Sequence, residues 1–282
     1  MELEKFIKHS RRVEVDDLDW QAAARAGVTP EEAFLVSYFS DIEGQTVFYF
    51  RELLNTKSAR RPEIVAFMTT WNYEEYFHAE SLNKLLDVCG HPTCDRRIVV
   101  RDNATLAAKI ENLVQLSLSR MMPDLFLALF MTWGSSQELL TSMCYERLAE
   151  TTANPVLREL CKRIAKQERR HFAYYFNSAR EQLTGKPMAQ RFARYFYETF
   201  WNPVGSGVKT RDEVYRLVDA LFPGRVVDEV FGEIASRIGT LPGMEGASAP
   251  VRFAERVWRN RRDQSAAGPV ERRVADVQAQ AN

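Results

Sequence analysis

The sequence predicts an all-α fold: a bundle of four long helices, with a crossover helix between its two halves and additional helices after it. Three observations lead there. Apolar residues recur at three- and four-residue spacing through most of the chain, while the period-two alternation of half-buried strands is hardly seen. Four of these stretches run for about 25 to 30 residues, or roughly 40 Å of helix at 1.5 Å per residue. Turns of only a few residues join the first to the second and the third to the fourth, and short turns make antiparallel hairpins.

Residues 16–26 are expected to be helical. The first long helix covers about 30–55, with Thr29 as its cap, Pro30 at the first helical position, and Glu31 and Glu32 in the first turn. The second covers about 62–88 and stops at Gly90. A shorter crossover helix is expected at 104–118. The third long helix starts near Pro123 and ends near 151–152; the fourth follows Asn154-Pro155 and ends near 184–185. Shorter helices are expected at 187–200, 210–221 and 225–237. Residues 240–250 are rich in Gly, Pro, Ser and Ala and read as a linker. Residues 252–262 suit a short basic helix, and the small polar residues from 263 on read as disordered. The expected organisation is an N-terminal extension (1–29), a helical domain (30–240), and a linker, helix and tail (241–282).

Composition narrows the function classes. A chain of 282 residues can bury one large core or two small ones, and 45% hydrophobic with 27% charged residues is a globular balance. Lys+Arg and Asp+Glu both number 38, so the basic excess of a general nucleic-acid binder is missing. No run of 18 uninterrupted apolar residues suggests a membrane span, and the N-terminus lacks a signal-peptide core. Four cysteines make no disulfide framework at this length, which fits a reducing cytoplasm.

Two of the four histidines lie in Glu-x-x-His: Glu75-Tyr76-Phe77-His78 and Glu168-Arg169-Arg170-His171, each in the middle of a long helix. A separation of three puts Glu and His on one face, one turn apart. Glu43 precedes Glu75 by 32 residues, and Glu138 precedes Glu168 by 30. Across a helical hairpin, such pairs stand at similar height. Each hairpin therefore supplies one Glu from its first helix and a Glu-x-x-His from its second. The six candidate ligands are Glu43, Glu75, His78, Glu138, Glu168 and His171. This arrangement is that of the dinuclear iron or manganese carboxylate site of ferritin-like four-helix bundles.

The helix faces agree. Glu43 shares its face with Val36, Phe39, Val47 and Phe50, and Glu138 with Met131, Gly134, Thr141 and Tyr145. Trp71, Leu82 and Leu85 flank Glu75 and His78; Cys161, Ile164 and Tyr175 flank Glu168 and His171. Four buried, unpaired carboxylates are very costly, and two divalent cations would cancel them. Imidazole with carboxylate suits iron, and manganese equally. Glu74 and Glu80 read as solvent-side groups or outer partners of the ligands. Cys89-Gly90-His91-Pro92-Thr93-Cys94 offers three zinc donors but no fourth, so a structured turn is the simpler reading. Lys162, Lys166, Arg169 and Arg170 form a basic stripe on the outer side of the fourth long helix.

Several segments carry a family resemblance. Trp71-Asn72-Tyr73-Glu74-Glu75-Tyr76-Phe77-His78, followed by Leu82-Asn83-Lys84-Leu85, resembles the Trp-x-x-Glu-Glu-x-x-His…Leu-Asn-Lys segment of the soluble acyl-ACP (acyl-carrier-protein) desaturases. Gln137-Glu138-Leu139-Leu140-Thr141 is similar to that family's Gln-Glu-x-x-Thr, and Gln167-Glu168-Arg169-Arg170-His171 to its Asp-Glu-x-x-His. The resemblance spans roughly residues 30–240. It implies two iron ions on the six ligands, bridged by Glu75 and Glu168. Glu43 and Glu138 would be terminal ligands, and Thr141 would lie beside the oxygen-binding face. It further implies use of O₂, an external electron donor such as ferredoxin, a fatty acyl substrate carried on acyl carrier protein, and a homodimer. Lys57, Arg60, Arg61 and the basic stripe would then meet the acidic carrier. One position departs: Gln167 stands where the family has Asp, and it can hydrogen-bond but carries no charge.

Other functions share parts of the pattern. A dinuclear oxygenase would hydroxylate or N-oxygenate a small metabolite on the same scaffold. Iron storage uses the same ligand order, but in small bare bundles, whereas 63 residues separate Glu75 from Glu138 here. A radical-generating subunit would need a tyrosine four residues after the first motif histidine, where this chain has Leu82. A binding protein with a relic site would have to bury four carboxylates without metal.

Overall fold

The computed structural model describes residues 3–54, 56–94 and 121–266, and every regular element among them is helical. In chain order they are α1 (Leu3–His9), α2 (Trp20–Ala26), α3 (Pro30–Gly44), α4 (Thr46–Leu54), a 3-10 turn (Lys57–Arg60), α5 (Pro62–Val88), α6 (Pro123–Thr151), α7 (Pro155–Leu183), α8 (Pro187–Phe200), α9 (Arg211–Leu221), α10 (Val226–Ile238) and α11 (Ala249–Ala266). The crossover helix expected at 104–118 and the tail from 267 on lie outside the described residues.

Helices α3, α5, α6 and α7 make the central bundle: α3 lies along α5, α6 along α7, and α5 meets α7. All four start with proline in the first turn, where its missing N–H leaves no helical bond unmade. At α3 the expected cap is a full capping box. The Thr29 hydroxyl accepts from the Glu32 N–H (3.2 Å), and the Glu32 carboxylate accepts from the Thr29 N–H (2.7 Å). At α7, Asn154 Oδ1 accepts from the N–H groups of Val156 and Leu157, while its Nδ2 donates to the carbonyls of Ala23 and Gly27 at the end of α2. Between the helices, Val36, Phe39, Phe67, Met68, Leu82, Met131, Leu140, Leu160 and Ile164 are fully buried. Each such side chain contributes about 1.5–3 kcal/mol of burial. Gly134 lets α6 approach α7 closely, because any Cβ there would strike the ring of the buried Tyr175.

Three sequence expectations change in detail. The helix expected over 30–55 is interrupted at Gln45. Thr46 Oγ1 donates to the Glu43 carbonyl (2.8 Å) and accepts from Asn72 Nδ2 on α5 (3.0 Å), so a side chain takes up a carbonyl at the end of α3. Past this break the register shifts, and Val47, expected on the face of Glu43, is 47% exposed. Residues 240–250, read as a linker, are packed. Leu241 and Met244 are fully buried, and Gly243 (φ +80°) sits against Gln190 where no Cβ fits. Glu198 of α8 then accepts from the Ser248 N–H (2.7 Å) and pairs with Arg252 (2.5 Å), fixing the start of α11. That helix buries Phe253, Ala254 and Val257 and runs on through residues 263–266, which the composition suggested were disordered. Finally, α1 was not foreseen; it is seven residues long and buries one side chain, Phe6.

Candidate metal centre

The six predicted residues meet at mid-bundle. Glu43 comes from α3, Glu75 and His78 from α5, Glu138 from α6, and Glu168 and His171 from α7. All six are buried. They form two overlapping quartets whose donor atoms lie within 4.8 Å of one another: Glu43, Glu75, His78 and Glu168; and Glu75, Glu138, Glu168 and His171. Glu75 and Glu168 belong to both. Among the described residues these are the groups of His, Cys, Asp and Glu placed to share a cation.

Both imidazoles point Nδ1 into the cluster. His78 Nδ1 lies 3.1 Å from Glu75 Oε2 and 3.0 Å from Glu168 Oε1. His171 Nδ1 lies 2.9 Å from Glu75 Oε1, 3.3 Å from Glu168 Oε2 and 3.5 Å from Glu138 Oε2. Oε1 of Glu75 and Oε1 of Glu168 are buried and make no aligned hydrogen bond despite these short distances. They and the ring nitrogens converge on common space, which is how donor atoms address a cation between them. The outer oxygens are held. Tyr145 donates to Glu43 Oε1 (2.7 Å), and Trp71 Nε1 donates to Glu138 Oε1 (3.1 Å).

The electrostatics divide the carboxylates. Burial, reinforced by the charges of Glu75 and Glu168, pushes Glu43 well above the usual carboxylate range. Burial does the same to Glu138. Burial also acts on Glu75 and Glu168, but the two imidazoles outweigh it and hold both below the ordinary value. Burial opposes charge on His78, yet Glu75 and Glu168 win and push it up to about 10; His171 is raised well above its usual value by the same pair. Without cations the cluster therefore neutralises itself with protons. Four carboxylates and two imidazoles around one buried space fit two divalent metal ions.

Outside the six clustered residues, Glu74, read as a solvent-side group or an outer partner, takes the second of these places, and Gln167, the departure from the resembled family, takes a matching one. Glu74 is fully buried, and its Oε2 meets His171 Nε2 at 2.9 Å; Gln167 Oε1 meets His78 Nε2 at 2.7 Å. Each immediately precedes the glutamate of one motif and serves the histidine of the other, a repetition that was readable in the chain. Arg170, expected on the outer stripe, turns inward to pair with Glu74, whereas Lys162 and Lys166 are exposed and Arg169 pairs with Glu146. Glu80 faces solvent. Thr141 is buried one turn beyond Glu138 on α6. Cys89 and Cys94 form no metal cluster among the described residues. Cys89 Sγ lies 3.6 Å from the Ala23 carbonyl, and Cys94 Sγ accepts from Asn83 (2.8 Å).

No helix among the described residues is long and apolar enough to cross a membrane. No curated protein matches the chain. The family model described as fatty acid desaturase matches residues 49–194, more than half of the 282, and takes in five of the six clustered residues, with Glu43 just ahead of it. On that match, over the helices that carry both Glu-x-x-His motifs, the chain belongs to the fatty acid desaturase family.

Proposed function

We propose that the chain is an O₂-dependent di-iron desaturase of the soluble, ferritin-like kind, which introduces a double bond into a fatty acyl chain held on a carrier protein. The observation that carries this reading is the pair of interlocking quartets with Glu75 and Glu168 common to both. In this reading Glu43 and His78 would hold one metal and Glu138 and His171 the other, with Glu75 and Glu168, common to both quartets, available to each. Iron bound there supplies the oxidising chemistry that breaks unactivated C–H bonds, and manganese fits the same donors. Overall, a –CH2–CH2– unit becomes –CH=CH–. Its two hydrogens, two protons and two electrons from a ferredoxin-class donor leave with O₂ as two water molecules.

The chain's own residues prepare the site. Tyr145 and Trp71 hold the outer oxygens of Glu43 and Glu138, so the inner oxygens keep their aim. Leu82, Leu140 and Ile164, all fully buried, help exclude water. Thr141 Oγ1, one turn from Glu138, is the hydroxyl we assign to proton relay beside the metals. Lys162 and Lys166 are exposed on α7 and suit an acidic carrier protein; unchanged carrier binding after charge reversal at both would remove that docking surface. The active form is proposed as a homodimer.

The test is a paired measurement: iron and manganese per chain, then turnover of a panel of acyl carrier protein substrates with reductant and O₂, read by mass spectrometry. Two metals and a product lighter by two hydrogens support the desaturase. Two metals with oxygen added to the product, or no turnover of any acyl carrier protein, favour the oxygenase on the same scaffold, for which the uncharged Gln167 beside His78 speaks. No metal after reconstitution refutes both.

A further inference from the structure

We propose that the N-terminal segment is a positioning element of the metal centre: the backbone of Arg11 sets the outer partners of both ligand histidines, and so which ring nitrogen each turns to the metals. This rests on the reading that His78 and His171 are ligands.

The two outward nitrogens end on side chains that cannot orient themselves. Gln167 presents Oε1 to His78 Nε2 (2.7 Å), and its Nε2 donates to the Arg11 carbonyl (3.0 Å). A carbonyl only accepts, so the amide must turn its NH2 end toward Arg11 and its oxygen toward the histidine. His78 Nε2 must then carry a proton, so Nδ1 is the nitrogen left to offer its lone pair to a metal in the cluster. Glu74 is fixed from the same residue. Its Oε1 accepts from the Arg11 N–H (2.8 Å) and from Arg170, and its Oε2 accepts from His171 Nε2 (2.9 Å). One residue thus uses its N–H for one histidine and its C=O for the other.

The segment is held where this requires. Phe6 is fully buried against Phe67 (4.9 Å between ring centroids), Tyr174 (5.3 Å) and His171 (6.1 Å). Arg170, besides pairing with Glu74, donates to the His9 carbonyl (3.0 Å). The same geometry accounts for an amide at position 167. A carboxylate there would set an oxygen against the Arg11 carbonyl, and two acceptors repel.

The test uses the full chain loaded with Zn(II) and labelled with 15N-histidine, together with Co(II) affinities for both positions. Lys8→Ala, exposed on α1, is the surface control. Arg11→Pro removes the N–H together with an exposed side chain, Phe6→Ala releases the segment without touching a hydrogen bond, and Gln167→Glu opposes the Arg11 carbonyl. The wild-type chain and the control should show two metal-bound histidines protonated at Nε2. Each of the other variants should lose about 10- to 100-fold in Co(II) affinity, with exchange-broadened or missing Nε2–H signals. Arg11→Pro should act first on the His171 position and Gln167→Glu first on the His78 position. If Arg11→Pro does not fold, Phe6→Ala and Gln167→Glu decide. Wild-type affinities and intact Nε2–H signals in the folded variants overturn the proposal alone. A wild-type chain that binds no metal overturns it together with the proposed function.

Discussion

Loading the centre with metal should expel protons, and their number follows from the structure. In the metal-free cluster Glu75 and Glu168 are ionised, Glu43 and Glu138 are held as acids, and both imidazoles carry the extra proton. The six side chains then sum to zero charge. Two divalent cations restore neutrality only if Glu43, Glu138, His78 and His171 each give up one proton, four per chain. Binding linked to proton release strengthens as pH rises. Each released proton adds about a factor of ten per pH unit, so the product of the two binding constants should climb by up to about four decades per unit. The His78 share of this dependence persists up to about pH 10. The assay is titration with Co(II), which needs no O₂, in buffers of different ionisation enthalpy; the buffer dependence of the heat counts the protons. Glu43→Gln removes one titrating group and should lower the count by one. Release of fewer than two protons, or a count untouched by Glu43→Gln, would refute the charge assignment.

Three further outcomes are expected. The raised groups favour the folded apoprotein at low pH, and their contribution is lost as pH rises: from the ordinary carboxylate range upward for Glu43 and Glu138, and between the ordinary histidine value and about 10 for His78. The melting temperature of the apoprotein should therefore fall from pH 7 to 9 while that of the metal-loaded protein holds; parallel curves would contradict this. Tyr145→Phe removes the donor to Glu43 Oε1 and should weaken one Co(II) site by about 10- to 100-fold, leaving the other near its original affinity. Gly134→Ala drives a methyl to within 2.5 Å of the Tyr175 ring and should cost about 1–3 kcal/mol by overpacking, read as a lower denaturation midpoint at unchanged slope.

The central bundle was legible because its signals are local. Helix period, prolines in first turns and the cap at Thr29 all act within a few residues. The six clustered residues were legible because a hairpin turns sequence distance into equal height. What was missed depends on side chains choosing between partners that only the fold supplies. Thr46 spends its hydroxyl on the Glu43 carbonyl, and Asn72 from another helix supports it, so no local rule foretold the break at Gln45. Residues 240–250 have the composition of a linker, but Gly243 serves close packing and Leu241 and Met244 are anchors. Arg11 acts through its backbone, which is the same for nearly every residue type, so its sequence carries no mark of the role. Arg170 looked like one more surface cation until Glu74 drew it inward.

The shallow docking of α1 has a kinetic consequence. A helix of seven residues that buries only Phe6 opens far more easily than the bundle unfolds. Its departure takes Arg11 and the His9 carbonyl away from Glu74, Gln167 and Arg170, and uncovers the outer edge of both histidines. The fold has thus laid a short, lightly anchored helix over the candidate metal ligands. On the proposed reading, ions would then enter and leave an otherwise intact bundle at the fraying rate of one short helix, and the exchange lifetime of the Arg11 amide hydrogen would become a clock for metal turnover.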